Sequence, residues 1–150
     1  PAYQEFPAES IAIEQHDGIT IRVIAGTSNA GTSGPVVNTF VHPLYMDVSL
    51  DNGKQFTQDV HIDDNVFVYV IEGDLAVGES GRELKPGQLG ILRDGEQVSV
   101  NANADSRFLL IAGRPLNEPV ARGGPFVMNT KAEVLQAFED FQNNRFQENA

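Results

Sequence analysis

Val66-Phe67-Val68-Tyr69-Val70-Ile71-Glu72-Gly73-Asp74-Leu75-Ala76-Val77 is the stretch on which the fold turns. Every residue from Val66 to Ile71 is β-branched or aromatic, the types that fit an extended chain. No polar residue alternates with them, so the segment is expected to be a strand buried between two layers. Glu72-Gly73-Asp74 then interrupts the run at a residue that accepts a left-handed backbone, and Leu75-Ala76-Val77 resumes it.

The same strand-and-turn pattern extends in both directions. Toward the C-terminus, Glu79-Ser80-Gly81-Arg82 and Lys85-Pro86-Gly87-Gln88 read as turns, and Val98-Ser99-Val100 and Phe108-Leu109-Leu110-Ile111 as strands. Toward the N-terminus, Met46, Val48 and Leu50 alternate with Asp47 and Ser49, the period of a half-buried strand. Asp51-Asn52-Gly53 follows as a hairpin signal. Ile19 to Ile24 is a further strand, and Gly26 to Gly34 is a Gly/Ser/Thr loop ended by Pro35. Many short strands with frequent turns specify an all-β sandwich or barrel.

Bulk properties narrow the possibilities. The 150 residues suffice for one domain with a substantial core. The absence of cysteine excludes disulfides, thiolate catalysis and Cys-based metal sites. A formal net charge of −11 argues against direct binding of nucleic acid, because like charge repels a phosphate backbone. No apolar run reaches membrane-spanning length and no signal pattern precedes the first strand, so a cytoplasmic location is expected. The chain starts Pro1-Ala2-Tyr3-Gln4 without a Met, the expectation being that it is processed, cut from a longer chain or deliberately truncated.

After the strands comes Gly113-Arg114-Pro115-Leu116-Asn117-Glu118-Pro119-Val120-Ala121-Arg122-Gly123-Gly124-Pro125-Phe126-Val127-Met128-Asn129-Thr130. Its prolines and glycines dictate an ordered but irregular path. It leads into one helix, announced by Thr130 as N-cap and Glu133 three residues on, the capping-box arrangement. Val134, Leu135, Phe138 and Phe141 are placed on one helical face. Gln142 to Phe146 is expected to be a frayed polar tail.

The blocks Gly113–Pro119 and Gly124–Thr130 closely resemble the signature that ends pirin-family proteins, which are two-domain cupins. Arg22–Gly26, Gly34-Pro35, Tyr69–Gly73 and Gln136–Gln142 extend the resemblance over nearly the whole chain. It implies a double-stranded β-helix (a cupin jelly-roll barrel) with a C-terminal α-helix, the barrel spanning about 1–125 and the helix and tail 126–150. It also implies an N-terminal cupin domain, absent from this chain, that carries Fe(II) on three His and one Glu. The family includes quercetin 2,3-dioxygenases and iron-dependent transcriptional co-regulators.

Within that resemblance, family spacing back from Gly73 places the expected Glu at Val66 and two His at Ile62 and Val60. The remaining His falls at Val98 if Arg93–Val98 is the second-motif turn. All four are apolar, so no cofactor is expected in this chain, and the barrel is expected to hold hydrocarbon where an active cupin holds a metal. His61 is one residue out of register and therefore on the opposite face. His16 and His42 read as turn residues.

Other chemistry finds less support. No Ser sits in a Gly-x-Ser-x-Gly context, and no helix or Lys follows the Gly-rich loop as phosphate binding requires. Asp59, Asp63 and Asp64 read as solvated acids. Arg114, Phe126, Val127 and Met128 are the expected domain or oligomer interface. The expected partners are an N-terminal cupin domain of the same protein, a second copy of the chain, or another protein. The functions in view are a non-catalytic structural and interaction domain, part of a quercetinase-like dioxygenase, and a small-molecule binder using the barrel mouth.

Overall fold

Asp17 and Gly18, at φ 45° and 77°, form the left-handed pair of a type I′ turn. They join β1 (Ala12–His16) to β2 (Ile19–Ala25), with His16 opposite Ile19. The computed structural model describes residues 4–37 and 40–145. Pro1 to Tyr3 and the tail residue Phe146 lie outside the described residues. The further strands are β3 (Leu44–Leu50), β4 (Gln55–Asp59), β5 (Asn65–Glu72), β6 (Leu75–Val77), β7 (Arg82–Leu84), β8 (Leu89–Leu92), β9 (Gln97–Ala102) and β10 (Ser106–Gly113). A hairpin of β11 (Ala121–Gly123) and β12 (Phe126–Met128) precedes α1 (Lys131–Gln142).

Two units are distinguished. Of the described residues, 6–37 and 40–115 form one, and 116–145 with Gln4 and Glu5 form the other, so the 121–128 hairpin belongs with the helix and the first unit ends short of residue 125. In the first unit, β1-β2-β3-β10-β5-β8 make one antiparallel sheet and β4-β9-β6-β7 a second. Their inner faces share a single core that includes Met46, Val48, Val68, Val70, Phe108 and Leu110 from the larger sheet. The smaller sheet contributes Phe56, Leu75, Val98 and Val100. Phe56 meets Phe108 edge-on across the layers, centroids 5.7 Å apart. This is the jelly-roll double-stranded β-helix expected from the sequence, built as two facing sheets whose ladders do not join.

Three local expectations are corrected. β5 is buried on one face only: Val66, Val68 and Val70 point inward, while Phe67, Tyr69 and Ile71 lie on the outer face with partial or greater exposure. No second layer covers that face within the first unit, so residue type alone misstates its burial. Asp51-Asn52-Gly53 is a turn but not a hairpin, because β3 pairs with β2 and β10 while β4 pairs with β9. The turn carries the chain from one sheet to the other.

The third correction concerns α1. The capping box at Thr130 and Glu133 is present, but Val134, Ala137 and Asp140 are the buried positions and Leu135 is exposed. The helix does not fray at Gln142. Asn144 is left-handed at φ 57°, and the N–H groups of Asn144 and Arg145 donate to the carbonyls of Phe141 and Asp140, a Schellman ending.

The sharpest crossing between the sheets is at Gly73, where β5 leaves one sheet and becomes β6 of the other. Gly73 has φ 86°, and a Cβ there would run into the Ser106 side chain and the Asp105 carbonyl. Ser106 Oγ accepts from Asp74 N–H at 3.0 Å, which fixes the corner to the start of β10. Gly53 has a similar φ of 78° but open space around it. Gly73→Ala is expected to cost about 3 kcal/mol or more, from left-handed strain plus overpacking, against about 1 kcal/mol for Gly53→Ala. Urea denaturation of both variants checks the difference.

Asp74 is held below its ordinary carboxylate value of 3.8, first by the hydrogen bond from Lys85. Because the folded value is the lower one, this contribution is present above the ordinary carboxylate range. It is lost as pH falls through the folded value. Lys85→Met is therefore expected to flatten the acid limb of stability against pH, measured as urea midpoints from about pH 7 to about pH 3.

Candidate functional site

Two turns meet at one end of the sandwich. Val60 to Asp64 joins β4 to β5, with Val60 N–H donating to the Glu96 carbonyl at 2.9 Å. Arg93 to Glu96 joins β8 to β9 and turns on Asp94 at φ 62°. Between them lies a cleft of about 40 Å³ lined by Val60, Ile62, Val66 and Val98, with Asp64, Arg93, Asp94 and Gln97 among its other walls. The structure thus brings together all four positions that family spacing singled out. Val66 and Val98 are buried, Val60 is half-buried against the core, and Ile62 is exposed.

The chemistry of this cleft follows from its lining. A water molecule occupies about 30 Å³, so the space suits a water and not an aromatic substrate. None of the four side chains has a nitrogen or oxygen donor, and iron needs several imidazole or carboxylate ligands on one face. Iron therefore does not fit these residues. Among the described residues no three His, Asp or Glu are grouped to share an ion. His61, one position away, is exposed on the turn, where its Nδ1 accepts from Asp63 N–H at 3.3 Å.

Sequence reading missed a polar cluster formed by β1, β4 and the loop after β2. Glu14 pairs with Ile21 in the register that points into the sandwich. Ser28 Oγ donates to Glu14 Oε2 at 2.6 Å, and His16 Nδ1 lies 3.5 Å from Oε1. Nearby Gln58 is buried, with Oε1 accepting from Asn29 N–H and Nε2 donating to the Asp59 carbonyl. These residues line a cleft of about 420 Å³. The available signal was Glu14 at an inward position of an alternating strand. His16 is thus a strand-end residue beside a carboxylate as well as a turn flank.

The interface candidates separate. Arg114 is exposed at the end of the first unit, its N–H donating to the Val41 carbonyl at 3.2 Å. Phe126 turns inward in the second unit, where its ring meets Phe138 edge-on at 4.9 Å and Phe141 at 6.0 Å. Strand alternation then leaves Val127 outward and 58% exposed, with Met128 half-buried.

Residues 45–147 match the family described as the Pirin C-terminal cupin domain. The chain belongs to the pirin family. A pirin-like protein of Caulobacter vibrioides is 44% identical to it, over 97% of this chain and 52% of the relative. Pirin of Homo sapiens is 40% identical over 95% and 50%. Among solved structures, quercetin 2,3-dioxygenase from Acinetobacter baumannii superposes with a TM-score of 0.84 at 36% identity, over 97% of this chain and 50% of that one. The chain spans about half the length of the curated pirin relatives it matches. No helix among the described residues is long and apolar enough to cross a membrane.

The cleft generates a direct expectation. The pirin C-terminal chain, incubated with Fe(II) under anaerobic conditions and desalted, is expected to retain no stoichiometric iron by elemental mass spectrometry. One equivalent per chain would mean that donors outside the four counted positions form a site.

Proposed function

We propose that this pirin C-terminal cupin is a metal-free structural and interaction domain that supports an iron-binding N-terminal domain of the same protein. The observation that carries the reading is the cleft itself. Where a metal-bearing cupin presents imidazoles and a carboxylate, this chain presents Val60, Ile62, Val66 and Val98 around about 40 Å³. Four aliphatic side chains contribute burial and packing and supply no Lewis acid, base or nucleophile. The half-length coverage of its relatives supports a second domain as the partner. Exposed Val127 and the neighbouring Met128 supply an apolar surface for a protein contact.

A second reading rests on the likeness to the Acinetobacter baumannii enzyme. In it, the chain is one half of a quercetin 2,3-dioxygenase whose iron lies in the other half, and this domain shapes the entrance to that site. The two readings differ in what the complete protein does and agree on what this half lacks.

Intact-mass spectrometry of the protein immunoprecipitated from its source cells tests the common premise. A mass near twice 16.3 kDa is expected, and a mass near 16.3 kDa would remove the two-domain reading. Oxygen uptake with quercetin then separates the alternatives: turnover by the complete protein but not by this chain selects the dioxygenase.

A further inference from the structure

β1 and β4 are end strands of their sheets, and the loop after β2 ties one to the other through Ser28 and Asn29. Beside that loop lies the cleft of about 420 Å³. Glu14 and His16 line it from β1, Ile19 and Ile21 from β2, and Phe56 from β4. Its volume falls within the roughly 300–1,000 Å³ of small-molecule sites.

Most polar groups of the wall are spent on one another. Gln58 Oε1 accepts from Asn29 N–H at 3.1 Å, and its Nε2 donates to the carbonyls of Thr27 and Asp59 at 3.4 and 3.0 Å. Ser28 Oγ accepts from Thr32 N–H at 3.2 Å and donates to Glu14 Oε2 at 2.6 Å. Glu14 Oε1 is left over. Among the described residues its one ion-pair partner is His16 Nδ1 at 3.5 Å, on a side chain 53% exposed. The Glu14 side chain itself keeps only 13% exposure, and no Lys or Arg lines the cleft. A carboxylate withdrawn from water without a full set of donors is costly, so this oxygen favours a donor from outside.

We propose that the cleft binds a small organic amine, its ammonium donating to Glu14 Oε1 and its carbon chain lying along Ile19, Ile21 and Phe56. The free oxygen sets the ligand class. An anion would meet the Glu14 charge and a formal net charge of −11. A guanidinium engages both oxygens of a carboxylate, and here Oε2 is already held by Ser28. A metal ion needs more ligands than one oxygen and one imidazole, and among the described residues no three His, Asp or Glu are grouped to share one. A neutral alcohol would leave the carboxylate charge uncompensated. An ammonium is a compact point charge that supplies both the donor and the opposite sign. Nothing in this site depends on the two-domain reading.

n-Butylammonium and n-butanol share a carbon skeleton and differ in charge, so an NMR titration of the backbone amides with each tests the site. At constant ionic strength, n-butylammonium is expected to give saturable shifts at Glu14, Ser28 and Phe56, and n-butanol none. Glu14→Gln keeps an acceptor for Ser28 Oγ but loses the charge, and is expected to weaken binding at least about tenfold. Glu79→Gln removes the same charge from the turn after β6 and is expected to leave binding unchanged.

Equal affinity in Glu14→Gln and the parent chain overturns the proposal. So do shifts that never saturate, or shifts that n-butanol reproduces. Nα-Acetyl-lysine amide binding more tightly than n-butylammonium would transfer the site to a lysine of a partner protein and overturn the small-molecule assignment.

Discussion

The fold depends on one backbone constraint, the corner at Gly73. A strand that begins in the six-stranded sheet must leave it and continue in the four-stranded one. The left-handed turn there brings the chain so close to Asp105 and Ser106 that no side chain fits. Because Ser106 also holds Asp74 N–H, the corner ties the β5–β6 crossing to the strand that lies between β3 and β5. The placement of Val70 in one layer and Leu75 in the other follows from it, and so does the gap that the shared core fills.

That core extends to the end of the sandwich where the turns after β4 and β8 meet. In a metal-bearing cupin, side chains there must keep open coordination positions, which leaves polar groups partly desolvated. Here Val66 and Val98 pack as ordinary core residues, each contributing about 1.5–3 kcal/mol on full burial. This end of the sandwich is therefore closed by hydrocarbon.

Much of this was legible in the residues. The strands around Met46–Leu50, Val66–Ile71 and Phe108–Ile111 are found where their patterns predict, and the Thr130–Glu133 box opens the helix. The four apolar positions that family spacing singles out line a single cleft. What the residues did not disclose was relational. A run such as Val66–Ile71 has the same composition whether one face or two are covered. Asp51-Asn52-Gly53 reverses the chain without stating which strands pair. Phe126 is apolar on a surface or in a core, and only the edge-on contact with Phe138 decides. Glu14 escaped notice because its partner Ser28 is supplied by a loop with no periodic pattern.

The strand order has a consequence for how the chain emerges from the ribosome. β10 pairs with both β3 and β5, yet it is the last strand of its sheet to be made. Until Ser106–Gly113 leaves the exit tunnel, the inner edges of β3 and β5 have no neighbour, and Met46, Val48, Val68 and Val70 lack the strand that seals them. At about 5–20 residues per second the nascent chain spends seconds in that unsealed state. Pairing across such sequence separation is also slow. During this interval the apolar inner faces of β3 and β5 stay exposed to water, and the arrival of β10 closes them.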